Sequence, residues 1–226
     1  MNLCIIPARG GSKRIPKKNI KPFHGKPLIA YSIEKAKDSN LFEKTVVSTD
    51  SEEIADVAKK YGAEVLYRPK KLADDFSTSM EVFEHAIKTL NKNGEFKYAC
   101  MIYATAPLLD IKYLKTGLEK LKNSDSCFSF SATTYDFPIW RGFEIENEKA
   151  KMLWPEHLNT RSQDLKEVYH DAAQFYWKKL SCLEKFTFDG NIPVLIPRFL
   201  VQDIDTMEDF IRAELIFKAL NDSDKS

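Results

Sequence analysis

Apolar residues along the chain alternate between short continuous runs and segments with helical spacing. The continuous runs predict strands, because a strand buried on both faces of a sheet carries apolar side chains on both sides. Apolar residues three and four positions apart predict amphipathic helices between those strands. The predicted strands cover residues 3–6, 44–48, 64–67, 98–103, 127–133, 173–177 and 193–197, and the predicted helices cover 27–37, 51–61, 78–91, 111–122 and 207–220.

This alternation predicts an α/β fold with a doubly wound, mostly parallel sheet that is covered by helices on both faces. A chain of 226 residues is long enough for one such domain, so residues 1–226 are predicted to form a single domain. The alternation stops after Tyr135. Residues 136–170 are rich in aromatic residues, prolines and charges, and exposure of Trp140 and Trp154 would be costly. We therefore expect an inserted arm there that packs on a second copy of the chain.

Composition excludes several classes of protein. A net charge of +1 argues against a general nucleic-acid binder, whose domains are basic throughout. No apolar run approaches the roughly 20 residues that span a bilayer, and no secretory leader is visible, so a cytoplasmic protein without membrane association is expected. The four cysteines form no C-x-x-C pair and are predicted to be reduced, buried thiols, with neither a disulfide nor a zinc site.

The first predicted strand runs into a loop that is loaded with cations. Six lysines and arginines fall between Arg9 and Lys21, and no acidic residue precedes Glu34. Such crowding of like charges favours a bound polyanion, and Gly10 and Gly11 allow main-chain amides to approach it. A solvated basic turn or a nucleic-acid contact is the alternative. The position directly after a strand, where open α/β sheets bind ligands, favours the triphosphate of a nucleotide, although the spacing matches neither G-x-x-x-x-G-K-[ST] nor G-x-G-x-x-G.

A second signal lies near the end of the chain, in Asp203-Ile204-Asp205. Side chains two apart in an extended segment point the same way, so both carboxylates can face one cation, and oxygen ligands suit magnesium. The alternative is that this segment only caps the last helix, for which Thr206 and Asp209 form a predicted capping pair. Together with the basic loop, the metal site is the favoured interpretation.

The string Ile6-Pro7-Ala8-Arg9-Gly10-Gly11-Ser12-Lys13-Arg14-Ile15-Pro16-Lys17-Lys18-Asn19 resembles the opening motif of the cytidylyltransferases that activate nine-carbon acidic sugars, the acylneuraminate cytidylyltransferase family. Further similar segments follow in order over nearly the whole chain; they include 26–33, 47–55, 61–65, Arg68-Pro69, Arg161-Ser162-Gln163-Asp164-Leu165 and Asp203-Ile204-Asp205-Thr206. The resemblance implies a Rossmann-like nucleotidyltransferase fold, a homodimer held by the arm, and transfer of CMP from CTP with magnesium.

The resemblance also implies roles for individual residues. The expected catalytic residues are Arg9, Lys13, Lys18, Asp203 and Asp205, of which Asp203 and Asp205 would bind the metal. The expected CTP-binding residues are Ala8, Arg9, Gly10, Gly11, Ser12, Lys13, Lys18, Asn19, Arg68, Ser77 and Ser79. The expected sugar-binding residues are Tyr103, Thr105, Arg161, Gln163 and Gln174, and an arginine such as Arg161 suits a carboxylate because its fork matches two oxygens.

Two departures bear on the sugar. Enzymes for sialic acid carry a sugar-contacting glutamine where this chain has Tyr103, and an Asn-Gly-Ala type segment where it has Tyr169-His170-Asp171-Ala172-Ala173. Both replacements resemble the pseudaminic acid branch of the family, whose products would feed flagellin glycosylation or surface polysaccharides. Legionaminic acid, sialic acid and Kdo remain alternatives, and so does a nucleotide-binding regulator without turnover.

Overall fold

The computed structural model describes residues 1–74 and 77–223 and confirms the predicted α/β fold. Eleven strands lie within these residues: β1 Asn2–Pro7, β2 Pro22–Phe23, β3 Lys26–Pro27, β4 Lys44–Thr49, β5 Glu64–Tyr67, β6 Tyr98–Ile102, β7 Phe128–Thr134, β8 Phe143–Glu146, β9 Lys149–Met152, β10 Tyr169–Lys179 and β11 Ile192–Leu195. The α-helices are α1 Leu28–Asp38, α2 Glu52–Lys60, α3 Ser79–Leu90, α4 Ile111–Lys122 and α5 Met207–Ser223.

Seven strands form one sheet in the order β11-β7-β10-β6-β1-β4-β5. Within this sheet, as described, β10 is the strand that runs antiparallel to its neighbours, and the other pairs are parallel. The carboxyl ends of the parallel strands therefore meet at one edge of the sheet, where ligands bind in open α/β folds. No helix in the described part of the chain is both long and apolar enough to cross a membrane.

Alternate side chains of β1 enter two different cores. Cys4 and Ile6 pack on one face of the sheet with residues of α1, α2 and α4, whereas Leu3 and Ile5 pack on the other face with residues of α3. All four side chains are fully buried. Burial of a large aliphatic side chain contributes about 1.5–3 kcal/mol, so each face anchors its own layer of helices. The apolar runs were continuous along the sequence because both faces of these strands are covered.

Between β7 and β10 lies the segment that was predicted to be an arm. It carries the β8–β9 hairpin and short 3-10 turns. Trp140 and Trp154 are half-buried against each other, with ring centroids 5.4 Å apart, and the indole of Trp140 donates to the Lys166 carbonyl at 2.7 Å. The tryptophans therefore stabilise the segment internally. Its strongly exposed apolar side chains are others, namely Phe137, Phe143, Ile145, Leu153 and Leu158.

The cysteine prediction is wrong for one pair. Cys127 and Cys182 form a disulfide with Cα atoms 5.7 Å apart, whereas Cys4 and Cys100 are free and buried as expected. The two bonded residues are 55 positions apart in sequence. Their proximity arises because β10 runs antiparallel to β7, so the end of β10 returns to the start of β7. No local spacing could indicate that pairing.

Candidate active site

A buried isoleucine in each segment brings the basic loop and the acidic segment together. Ile15, in the middle of the loop after β1, and Ile204, between the two aspartates, are both fully buried in a third core cluster with Phe23 and Phe210. Burying two large aliphatic side chains in one cluster fixes the two segments against each other. The cations of the loop and the carboxylates of Asp203 and Asp205 consequently face the same space.

That space is a cavity of about 350 Å³ at the carboxyl ends of β1, β5 and β6. Ten of the residues expected from the sequence line it, namely Arg9, Lys18, Asn19, Arg68, Ser77, Ser79, Tyr103, Thr105, Asp203 and Asp205. Residues that are far apart in the sequence thus converge on one site.

Hydrogen bonds hold the basic loop in shape. The Asn19 amide donates to the Arg9 carbonyl at 3.0 Å, and the Gly10 N–H donates to Asp50 Oδ1 at 2.9 Å. Gly10 approaches Ser51 so closely that a Cβ there would lie 3.0 Å from the Cβ of Ser51. A side chain at position 10 would therefore make Ser51 shift by a few tenths of an ångström, whereas Gly11 has open space around it.

The other expected loop residues do not line the cavity. Ala8 is buried and its N–H donates to the Ser48 carbonyl at 2.9 Å, which continues the pairing of β1 with β4. Ser12 is half-buried, with its N–H on the Gly10 carbonyl at 3.0 Å, and Lys13 is exposed. Their expected contacts with CTP stay predictions.

Arg68 is a buried arginine with an unsatisfied donor. Its guanidinium donates to the main-chain carbonyls of Ser48 and, at 3.3 Å, of Leu72, but its Nε is buried without a hydrogen-bond partner among residues 1–74 and 77–223. Burial lowers the pKa of Arg68 from its ordinary value, and the charge of Asp50 opposes that shift. An unpaired buried donor of this kind costs about 1–3 kcal/mol.

Two cations hold one oxygen of Asp205. Arg14 Nη2 lies 2.9 Å and Lys18 Nζ lies 3.3 Å from Asp205 Oδ1. Arg14 was absent from the expected site residues, and the dense basic run itself was the signal for it. The cavity wall, by partly desolvating Asp203, and the nearby charge of Asp205 raise the pKa of Asp203. A cation between these carboxylates would remove their repulsion.

The capping prediction for α5 is confirmed. Asp209 Oδ2 accepts from the Thr206 N–H at 2.7 Å, and the Asp209 N–H donates to Thr206 Oγ1 at 3.2 Å. Asp209 also accepts from the Asp205 N–H at 3.1 Å. The helix cap therefore uses Thr206 and Asp209 and leaves the carboxylates of Asp203 and Asp205 to the cavity.

A second cavity of about 420 Å³ adjoins the first and shares Asp203 and Asp205 with it. His170, Asp171, Arg198 and Arg212 also line it. None of these was among the expected site residues. The segment after Tyr169 was already notable for its departure from sialic acid enzymes, but nothing in the sequence indicated the two arginines. This cavity has room for a second substrate beside the first.

Three expected sugar-binding residues lie outside both cavities. Arg161 is exposed on the arm and its Nε pairs with Asp164 Oδ2 at 2.6 Å. Gln163 lines a separate cavity of about 440 Å³ at the base of the arm. Gln174 is buried, its Nε2 donates to the Leu200 carbonyl at 2.6 Å, and its Oε1 has no hydrogen-bond partner within the part of the chain that the structure describes. Their roles toward a sugar stay predictions.

Comparisons with known proteins identify the family. The family model described as Cytidylyltransferase matches residues 3–215. The pseudaminic acid cytidylyltransferase of Campylobacter jejuni is 47% identical over 98% of this chain and 98% of its own length. A Helicobacter pylori protein described as pseudaminic acid cytidylyltransferase and UDP-2,4-diacetamido-2,4,6-trideoxy-beta-L-altropyranose hydrolase is 42% identical over 89% of this chain and 40% of its own.

Among solved structures, a CMP:2-keto-3-deoxy-manno-octonic acid synthetase complexed with CTP superposes with a TM-score of 0.70. The superposition covers 96% of this chain and 98% of that chain at 13% sequence identity. At that identity the similarity concerns the fold, and it agrees with the sheet described above.

Proposed function

The chain belongs to the cytidylyltransferase family, and on that premise we propose that it transfers CMP from CTP to the anomeric hydroxyl of pseudaminic acid and releases pyrophosphate. The observation that carries the proposal is the convergence of Arg9, Lys18, Arg68 and the two aspartates on one cavity. Near full-length identity of 47% to a pseudaminic acid cytidylyltransferase supports the choice of sugar.

The chain's own residues account for binding of the nucleotide. Arg9 and Lys18 supply positive charge for the triphosphate at the end of β1, and Arg68, which lines the same cavity, contacts the nucleoside. In the reaction the anomeric oxygen forms a bond to the α-phosphorus, the bond to pyrophosphate breaks, and the hydroxyl proton is lost. Positioning and neutralisation of the leaving pyrophosphate are the main contributions that such a site makes.

Magnesium fits the carboxylate pair only together with the nucleotide. The described residues contain no group of three or more possible ligands, so Asp203 and Asp205 would hold the ion while phosphate oxygens and waters complete its shell. The raised pKa of Asp203 beside Asp205 is the sign of a pair that favours a cation. When bound, the ion would polarise the α-phosphate and favour ionisation of the sugar hydroxyl.

The homodimer is part of the proposal. The arm exposes Phe137, Ile145 and Leu158, at 83%, 73% and 63% of their surface, and such an apolar surface favours a protein partner. Arg161 lies on this arm, outside the cavities of its own chain, so a second copy could receive it at the sugar site. Sedimentation velocity of Ile145→Asp, compared with the wild type, tests the dimer.

Mixed dimers test whether Arg161 serves the neighbouring site. A chain with Arg161→Ala keeps the carboxylates of Asp203 and Asp205, and a chain with Asp205→Ala keeps the arm with Arg161. If each arm completes the partner's site, mixing the two impaired variants gives more activity than the sum of the separate variants. No recovery, or an Arg161→Ala variant whose KM for the sugar and KM for CTP rise equally, would remove Arg161 from the sugar site.

Pyrophosphate release with CTP and magnesium tests the reaction itself. Pseudaminic, legionaminic and N-acetylneuraminic acids and Kdo are offered in parallel. Release with pseudaminic acid alone is expected, and Asp205→Ala should lower kcat by about 10²–10³. Pyrophosphate release with a different acid would overturn the assignment of pseudaminic acid as the substrate. Binding of CTP, with no pyrophosphate released in the presence of any of the four acids, would indicate a regulator. A cytoplasmic location and a role in surface or flagellin glycosylation stay predictions.

A further inference from the structure

Strand β10 bulges beside the active site, and Asp171 holds the bulge. The strand pairs with β7 up to Asp171 and again from Tyr176, with a register shift between them. Within the bulge Ala173 has φ 50°, and Asp171 Oδ1 accepts from the Ala173 N–H at 2.9 Å. A non-glycine residue in this left-handed region costs about 1–2 kcal/mol, so the hydrogen bond stabilises a conformation that the chain does not favour.

The second oxygen of Asp171 binds a buried tyrosine. The hydroxyl of Tyr176 donates to Asp171 Oδ2, and the side chain of Tyr176 is almost fully buried. Burial raises the pKa of Tyr176 far above its ordinary value, so this hydroxyl stays a donor at every working pH. Asp171 therefore makes hydrogen bonds with both oxygens, one to the main chain and one to Tyr176.

Tyr103 lies against this pair. Its ring centroid is 5.6 Å from that of Tyr176, and the two ring planes are tilted by 36°. The main chain of Tyr103 is held from both sides, because its N–H donates to the Gln174 carbonyl at 2.9 Å and its carbonyl accepts from Ser32 Oγ at 2.7 Å. The backbone of Tyr103 is thus fixed, and its ring packs against the ring of Tyr176.

The array stands between the two cavities of the site. Tyr103 lines the cavity that contains Arg68 and the basic loop, and Asp171 lines the adjoining one. Asp203 lines both, and the charge of Asp171 acts on Asp203 as well as on Tyr103. A change in the array therefore acts where the acceptor must meet the nucleotide.

We propose that Asp171 and Tyr176 are positioning residues that hold the ring of Tyr103, and with it the direction of its hydroxyl, at the boundary of the two cavities and thereby set the orientation of the acceptor sugar. The inference rests on the proposed function, because it concerns the acceptor of that reaction. A hydroxyl held in one direction selects among sugars by the hydroxyl or amide group it meets, since a mismatched polar group is left unpaired. The negative charge of Asp171 also turns the carboxylate of an acidic sugar away from this wall.

The test compares three tyrosine-to-phenylalanine variants with the acid that the wild type uses best. Tyr176→Phe removes the hydroxyl and keeps the ring, so the KM for the acid should rise about tenfold while the KM for CTP stays within twofold. Tyr31→Phe is the matched control, because its buried hydroxyl donates to the Phe23 carbonyl at 2.8 Å and Tyr31 lines neither cavity. Both KM values of Tyr31→Phe should stay within twofold of the wild type.

A double variant separates positioning from general destabilisation. If Tyr176 acts through Tyr103, the KM for the acid in Tyr103→Phe/Tyr176→Phe should equal that in Tyr103→Phe alone. Asp171→Asn, which keeps the size of the side chain, should raise the KM for the acid in the same direction as Tyr176→Phe. Asp171→Asn therefore tests the proposal if Tyr176→Phe does not fold.

The outcomes distinguish this inference from the function on which it rests. A wild-type protein that releases no pyrophosphate with any acid overturns the proposed function and the inference together. A wild-type protein that turns over an acid, while Tyr176→Phe or Asp171→Asn keeps its KM for that acid, overturns the inference alone. Equal rises in both KM values, or additive effects in the double variant, would assign Tyr176 a structural role and also overturn it.

Discussion

Reduction of the Cys127–Cys182 disulfide is expected to destabilise the protein without changing its activity. Cys127 precedes β7, whereas the substrate cavities lie at the carboxyl ends of the parallel strands. The seven residues of β7 rise about 3.3 Å each, which puts about 20 Å between the disulfide and that edge of the sheet. Reduction of the disulfide at one edge of the sheet should therefore leave the candidate site at the opposite edge unaltered.

The magnitude follows from the length of chain that the disulfide closes. With 55 positions between the two cysteines, the loss of unfolded-state entropy corresponds to about 4 kcal/mol of unfolding free energy. For a chain of 226 residues this is a fall in melting temperature of about 10 °C. The value assumes that the stabilisation arises from restriction of the unfolded chain.

Thiol counting first tests whether the disulfide is present, and urea unfolding then tests how much it stabilises the protein. The denatured, unreduced protein should show two reactive thiols, those of Cys4 and Cys100, and the reduced protein should show four. Urea midpoints are then compared with and without reductant, with Cys127→Ser/Cys182→Ser as the control that should no longer respond to reductant. Four thiols without reductant would refute the disulfide. A fall in kcat/KM on reduction would refute its separation from the site.

Three further predictions concern packing, a buried charge and pH. Gly117→Ala would put a Cβ 3.1 Å from Trp177 Cδ1. Overpacking should outweigh the gain in helix propensity and lower the unfolding free energy by about 1 kcal/mol. A urea midpoint above that of the wild type would contradict this packing. Glu84→Leu should cost about 3 kcal/mol because it leaves buried Lys178 without its partner. Lys178→Met/Glu84→Leu should recover most of that loss, and equal midpoints for the single and double variants would disprove the pairing. Because the pKa of Asp203 is raised in the folded state, the folded protein binds more protons at this group, so its contribution to the unfolding free energy falls as pH rises above the ordinary value of about 3.9. With a chelator present to remove metal ions, the unfolding free energy of the wild type should fall relative to that of Asp203→Asn as the pH rises. A difference between the two proteins that does not change with pH would show that the pKa of Asp203 is not raised.

Much of the fold followed from local patterns. The strands that predict a parallel sheet were visible as apolar runs because both of their faces are buried, as in β1, and α4 begins and ends where its apolar spacing predicts, at Ile111 and Lys122. The helix cap at Thr206 and Asp209 was equally local, since its partners lie three residues apart. Such features are determined by neighbours in the chain.

The site was only partly predictable. The basic loop and the Asp203/Asp205 pair were each visible in the sequence, but their meeting depends on the shared burial of Ile15 and Ile204. The contact of Arg14 with Asp205 and the hydrogen bond from Tyr176 to Asp171 were not predicted from the sequence. Each of these contacts joins residues whose side-chain direction is set by the loop or bulge that carries them.

The sequence by itself determined the order of the helices and of the strands of the main sheet, the basic loop and the acidic pair, because periodicity and residue chemistry are properties of the chain. Only the tertiary structure decided which residues share a cavity, that Arg161 lies outside it, and that Cys127 meets Cys182. The antiparallel insertion of β10 between β6 and β7 governs the last of these and places Asp171 at the site. Strand order and a bulge in register are results of packing between distant segments, and no local stretch of sequence specifies them.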